Sequence, residues 1–232
     1  MLTETDIANL AIGKIGGAGD ALNGNATISS IDDNNKVAAW CKTLLPHCRR
    51  RSIKDLAKIG CPFRETLVFA DLGAEVDADS LPETGQYTYA FDLPGDCLVV
   101  IKQFNETEIA RRQSTVGHNW ETVANKNRDG KLFLTDTLSN LDNTSAFIEY
   151  CIDIESPSIF SEELIECIAT LMASALCPVL GKGMDEKKRM SIEYQFISVP
   201  DAQKFNQSQF NGRTDPTTDY TGGRAAVRRE RL

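Results

Sequence analysis

The chain has 232 residues, of which 41% are hydrophobic and 25% charged, enough apolar material for one large domain or two small ones. A formal net charge of -8 and a pI near 4.9 argue against a general nucleic-acid binder, because neutralising phosphates requires clustered Lys and Arg. No apolar run reaches the ~20 residues that span a bilayer, and the start Met1-Leu2-Thr3-Glu4-Thr5-Asp6 lacks a basic, apolar leader; the expectation is a protein made and kept in a cytoplasm, with no membrane partner.

In chain order, Thr3 or Thr5 can cap a first helix carrying Ile7, Leu10, Ala11 and Ile15, ended by Gly16 and Gly17. Ser30-Ile31-Asp32-Asp33 reads as the capping signal of a second helix with the apolar stripe Val37, Trp40, Cys41, Leu44, Cys48, Ile53 and Leu56. Pro46 predicts a kink or break inside it, and Gly60-Cys61-Pro62 its end.

The period then changes. Residues 62–153 read as an antiparallel β region with an acidic loop over 73–85. Runs at 86–91, 97–102, 121–124, 131–134 and 146–152 are rich in β-formers. Leu93-Pro94-Gly95-Asp96 separates the first two, and Asn127-Arg128-Asp129-Gly130 is a hairpin signal between the next two.

Helices return at Ser161, an N-cap followed by Glu162 and Glu163. Leu164, Ile165, Ile168, Leu171, Met172, Ala175 and Leu176 make this helix apolar enough to be central. Pro178 and Gly181 stop it. Asp185 can cap a last helix bearing Met190, Tyr194 and Ile197, with a break expected at Pro200. From residue 212 onward apolar residues nearly vanish, a composition that alone stays disordered.

The fold class is therefore α+β: an antiparallel helical bundle interrupted by an inserted antiparallel β domain, with a flexible C-terminal arm. The boundaries are 1–62 for the N-terminal helices, 63–154 for the β insertion, 155–211 for the C-terminal helices and 212–232 for the basic arm.

Catalytic patterns find no support. His47 and His118 lack zinc-ligand spacing, and Asp136, Asn140, Asp142 and Asn143 depart from a calcium loop and suit a plain turn. The glycines at 13, 16, 17 and 19 follow a helix, whereas a phosphate loop follows a strand, and Gly181-Lys182-Gly183 lacks a P-loop's Ser or Thr. The seven scattered cysteines read as reduced core filler. No catalytic, cofactor or metal site is expected, and the chain reads as a non-enzyme.

Two basic clusters remain. Arg49, Arg50 and Arg51 are either a solvated or salt-bridged helix face, or an interface or channel cluster. Arg224, Arg228, Arg229 and Arg231 are either a plain disordered end or a mobile arm that orders on an acidic partner.

Several short elements share an order with a known family. Ile12-Gly13-Lys14-Ile15-Gly16 closes a helix, Ile28-Ser29-Ser30-Ile31-Asp32-Asp33 follows, and Cys41 to Arg49 lead to Cys61-Pro62-Phe63. Tyr89-Ala90-Phe91-Asp92-Leu93-Pro94-Gly95-Asp96-Cys97-Leu98, Trp120-Glu121, Gly130-Lys131-Leu132-Phe133-Leu134-Thr135 and Pro157-Ser158-Ile159-Phe160-Ser161 continue the series. Together, over roughly residues 5–205, these resemble the head-to-tail adaptor (tail tubular) proteins of tailed bacteriophages; Phe63 departs from a family Trp at or near that position. The resemblance implies a structural virion protein at the head-to-tail interface, assembled in a host cytoplasm, in a homo-oligomeric ring of about twelve subunits. It also implies portal protein on one side and a tail nozzle or tail tube protein, with tail fibres, on the other. Arg224 to Arg231 would contact the portal, and DNA would be passing cargo repelled by an acidic lumen. The rival is a DNA-packaging or other DNA-binding ring protein.

Overall fold

The computed structural model describes residues 2–16, 27–73, 75–76, 87–104, 119–124, 130–139 and 145–211, apart from the side chains of the last two. Within them the chain is mixed helix and sheet. Helices α1 (Glu4–Lys14) and α2 (Lys36–Lys58) come first, then six strands, then helices α3 (Glu162–Leu176), α4 (Met184–Glu193) and α5 (Val199–Asn211).

Local chemistry sets the first turns. Thr3 and Asp6 form a capping box, the Thr3 side chain accepting from Asp6 N–H and the Asp6 carboxylate from Thr3 N–H at 2.8 Å. Beyond Gly16, at φ +66, the chain returns at Thr27 and docks on α1. Asn9 donates to Ile28 O at 3.0 Å and accepts from Ile28 N–H at 2.9 Å. Ile31 N–H donates to Thr5 Oγ1, and Asp33 accepts from the N–H groups of Ser29 and Ser30. The Ser30–Asp33 element is thus a self-bonded turn anchored to α1. The N-cap of α2 is instead Asn35, accepting from Ala38 N–H at 2.8 Å.

Helix α2 runs through Pro46 unbroken, although the proline removes one interior donor. Its inward line is Ala38, Cys41, Leu45, Cys48, Ser52, Ile53 and Leu56, whereas Trp40 is exposed. Of the expected stripe, Cys41, Cys48, Ile53 and Leu56 are buried and Val37 and Leu44 pack against the core, so Trp40 alone departs from it. Leu10 of α1 is likewise exposed, with Ile7, Ala8, Ala11 and Ile12 buried in its place.

The strands form two three-stranded antiparallel sheets: β1 (Leu67–Asp71), β6 (Phe147–Ile152) and β3 (Cys97–Phe104) in one, β2 (Tyr89–Asp92), β5 (Lys131–Thr135) and β4 (Trp120–Ala124) in the other. Period-two alternation assigns the faces. In β6, Cys151 enters the helical core while Ile148 and Tyr150 enter a second core shared with Phe91 and Phe133 of the other sheet. On β5, Phe133 faces that second core and its neighbours Leu132 and Leu134 face away. The layers are therefore helices, first sheet, second sheet. A buried polar link joins the sheets, Thr135 Oγ1 donating to Gln103 Oε1 at 2.8 Å.

Two placements within the expected β region go beyond the local signals. The turn after β2 does not fold it against β3; it carries the chain from one sheet to the other, β2 pairing with β5 and β3 with β6. Strand β1, in a stretch without an assigned strand, is an edge partner of β6 from Leu67 opposite Cys151 to Asp71 opposite Phe147. Strands β4 and β5 do pair, as their hairpin signal predicts, although residues 125–129 lie outside the described residues. So does most of the acidic stretch 73–85.

Ser161 caps α3, accepting from Leu164 N–H. This helix buries Leu164, Cys167, Ile168, Ala169, Thr170, Met172, Ala173, Ser174 and Leu176, nearly its whole circumference, against α1, α2 and the α4–α5 stretch. After Gly181, at φ +68, the N-cap of α4 is Gly183; Asp185 sits in the first turn instead. The expected break at Pro200 is absent. A π turn over Tyr194–Ser198 precedes it, with Val199 N–H donating to Tyr194 O, and this wider turn gives the proline ring room while the helix continues. The π turn also changes which residues face inward. Met190, Tyr194, Ser198, Ala202 and Asn206 form the buried line, and Ile197 is left exposed. In an uninterrupted α-helix a four-residue step drifts by about 40°, and the π turn takes part of that drift back.

The central position of α3 predicts unequal sensitivity. Ile168→Ala should cost about 2–5 kcal/mol in urea unfolding, while Phe196→Ala, at an exposed side chain, should stay within about 0.5 kcal/mol. Equal losses at the two positions would contradict this packing.

Candidate functional site

The arginine cluster on α2 divides by position. Arg49 is 3% exposed, and its Nε and Nη2 donate to Asp153 Oδ1 and Oδ2 at 2.6 and 3.0 Å. Arg50 Nε reaches the same carboxylate at 2.6 Å from the surface side. Arg51 faces Asp55 across one helical turn at 3.4 Å. Consecutive residues on a helix diverge by about 100°, so three adjacent arginines cannot share one face. All three arginines are salt-bridged, and Arg49 is withdrawn from any open surface.

Asp153 follows directly on β6, so this fork joins α2 to the first sheet. Burial would raise the carboxyl's pKa, but the hydrogen bonds from Arg49 and Arg50 outweigh it and hold the group below the usual carboxylate range. Arg50 is pushed up by its bond to the same carboxylate.

A second ionic group ties α1 to α3 and α4. Lys14 Nζ bonds Glu166 and, at 3.1 Å, Glu193. Burial opposes its charge, yet the two carboxylates win and the pKa is raised. Arg189 donates to Lys14 O at 3.1 Å, closing the end of α1. Thr170 and Ser198 continue the polar path inward, Ser198 Oγ donating to Thr170 Oγ1 at 3.1 Å.

The thiols are uniformly buried. Desolvation pushes Cys41, Cys97 and Cys151 up to about 11 and Cys48 and Cys167 up to about 12, which removes their thiolates at neutral pH. Among the described residues no three His, Cys, Asp or Glu converge on a point where a metal could sit. Asp136 accepts from Thr88 N–H at 3.2 Å, while Asn140, Asp142, Asn143 and His118 lie outside the described residues. The tail arginines Arg224, Arg228, Arg229 and Arg231 also lie outside them. No helix among the described residues is long and apolar enough to cross a membrane.

Two surface features escaped the sequence reading. The first is an open cleft of about 350 Å³ between α2, α3 and α4, lined by apolar Leu44, Leu171 and Ala175, by buried Cys48, Ser174 and Tyr194, and by basic His47, Arg51 and Lys187. The second is a set of exposed large apolar side chains on the helices: Leu10, Trp40, Met184, Ile192, Phe196 and Ile197, with Ile159 on the turn before α3. The apolar arc of α3 is wide enough to have announced a helix surrounded by others. The cleft depends on the spacing of three elements far apart in sequence, which no local pattern encodes.

Comparison with protein-family models and with curated proteins returned no match.

The Arg49–Asp153 fork generates a stability prediction. Asp153→Asn leaves the buried Arg49 guanidinium with only the exposed Glu155, at 3.9 Å, as counter-charge and should cost about 3 kcal/mol in chemical denaturation. Because the folded pKa of Asp153 is depressed, its contribution is fully present above the unfolded aspartate value of about 3.9 and is lost as pH falls below it. The variant should therefore show a smaller acid-side fall in stability than the parent; identical acid limbs would exclude this role.

Proposed function

We propose that this chain is a head-to-tail adaptor of a tailed bacteriophage, a non-enzymatic ring subunit that joins a portal vertex to a tail and surrounds the exiting DNA. In this reading helices α1 to α5 form an antiparallel bundle, the β segment 63–154 is an insertion into it, and residues 212–232 are an arm to the portal. Tail nozzle or tail tube protein, with tail fibres, meets the other face.

One observation carries the proposal: large apolar side chains stay exposed on helices that already have a well-packed interior. Phe196 is 71% exposed and Ile192 and Ile197 are each 56% exposed, on the same stretch that buries Met190 and Tyr194. Apolar groups gathered in this way on an otherwise acidic surface are what a subunit shows before neighbours cover it. The resembling elements add support of a second kind. The Ile28–Asp33 motif is a turn bonded to α1 through Asn9 and Thr5, so its residue types answer to a defined local structure. The net charge of -8 suits a wall past which DNA slides.

Light scattering or native mass spectrometry of the protein, alone and mixed with the portal ring of the same virus, tests the reading. Assembly into a ring is the expected outcome, with the portal as template if the free chain is monomeric. A chain that stays monomeric with portal present would overturn it, and salt-sensitive binding of duplex DNA by that chain would favour the DNA-binding rival. Deleting residues 212–232 should leave a folded protein that no longer attaches to portal-bearing heads; normal attachment would remove the arm from the account.

A further inference from the structure

Resting on the ring reading, we infer that neighbouring copies join head to tail, the turn before α3 of one copy inserting Ile159 into the α2–α3–α4 cleft of the next. The two surfaces carry opposite charge around apolar groups. The cleft is lined by the half-buried Leu44, Leu171 and Ala175 with the buried Cys48, Ser174 and Tyr194, and by the basic side chains His47, Arg51 and Lys187; Asp55 lies behind Arg51 and Tyr194, bonded to both. The turn presents the reverse: Ile159 is 54% exposed, between the exposed Glu162 and Glu155, whose side chain is 82% exposed although it lies 3.9 Å from Arg49. A branched apolar side chain flanked by two acids thus faces a partly apolar hollow edged by Lys187 and His47.

The turn is held before any partner arrives. Pro157 starts a single 3-10 turn, Phe160 N–H donates to Pro157 O at 3.2 Å, and Ser161 N–H donates to Glu65 Oε1 at 2.9 Å, tying the segment to the foot of the first sheet. Phe160 packs into the core beside Ile159. A protruding side chain on a fixed backbone loses little freedom on binding, which favours a contact role.

Geometry makes the contact propagate. The turn lies at the N-terminal end of α3 and the cleft beside its C-terminal half, separated along the helix by roughly 20 Å. Knob and hollow therefore sit on different parts of one subunit, and each copy that uses both leaves one of each free. Such a contact builds an open chain or, where the rotation between copies closes, a ring.

Paired variants test this. Ile159→Asp removes the knob, and Lys187→Glu with His47→Glu spoils the rim; all three positions are partly or well exposed, and circular dichroism and thermal melting check that each variant folds. Assembly is read by native mass spectrometry under the conditions, with portal if required, in which the parent forms rings. Each variant alone should lose rings, with the neighbour contact weakened about tenfold or more. Mixed together, they should give heterodimers and nothing larger, because the knob variant keeps an intact cleft and the rim variant an intact turn. Rings from either variant alone would overturn this contact and leave the adaptor reading standing. An equimolar mixture without heterodimers would also overturn it. Failure of the parent itself to assemble would remove the ring reading and this contact together.

Discussion

Helix α3 leaves almost no face to water, and the remaining helices are arranged by that fact. A helix whose Leu164, Ile168 and Met172 point one way, Ala169 and Ala173 another and Cys167 a third can be buried only by neighbours on several sides. Helices α1, α2 and the α4–α5 stretch supply them. Small residues at 169 and 173 permit close approach, and the polar Thr170 and Ser174 are admitted because each finds a partner, Ser198 and Ser191 respectively.

The sheets attach to this assembly through one face of the first sheet, where Cys151 of β6, Leu98, Val99 and Ile101 of β3 and Leu67 of β1 meet the helical core, and through a charge. Cys151 and Phe63 belong to the helical core, so the first sheet is continuous with it rather than laid on it. Just beyond β6, Asp153 draws in both Arg49 and Arg50. An apolar contact alone would tolerate small slips of the sheet along α2; a two-pronged ionic bond at 2.6 and 3.0 Å fixes the angle. The same bond brings the segment after β6 to its starting point on α2, from which the turn before α3 departs.

Where one interaction range dominated, the sequence was readable. The capping box at Thr3, the Ser161 cap, the glycine exits at 16 and 181 and the β4–β5 pairing are decided within a few residues. The central place of α3 was legible because its apolar arc exceeds what one neighbour could cover. Competition between ranges hid the rest. Proline at 46 and 200 has a strong local preference, yet packing of α2 and a π turn before α5 overrode it. A turn such as Leu93 to Asp96 specifies a change of direction without saying which strand is met next, and here each flanking strand pairs elsewhere. Among candidate site residues, Arg49 and Arg51 look alike in sequence; only Asp153, more than a hundred positions later, separates the buried one from the exposed one. The cleft was invisible for the same reason.

The buried thiols carry a consequence for the lifetime of the molecule. In the folded chain seven cysteines are shielded, and for several of them desolvation also keeps the sulfur protonated. Both protections vanish together whenever the helical core opens, since an exposed thiol returns to an ordinary acidity and becomes open to oxidants and to its neighbours. In a reducing setting such an opening heals without trace. Under oxidising conditions it is trapped by chemistry that refolding cannot reverse. Durability there is then a matter of how seldom the core opens, a rate, and the equilibrium stability of the fold is a poor guide to it.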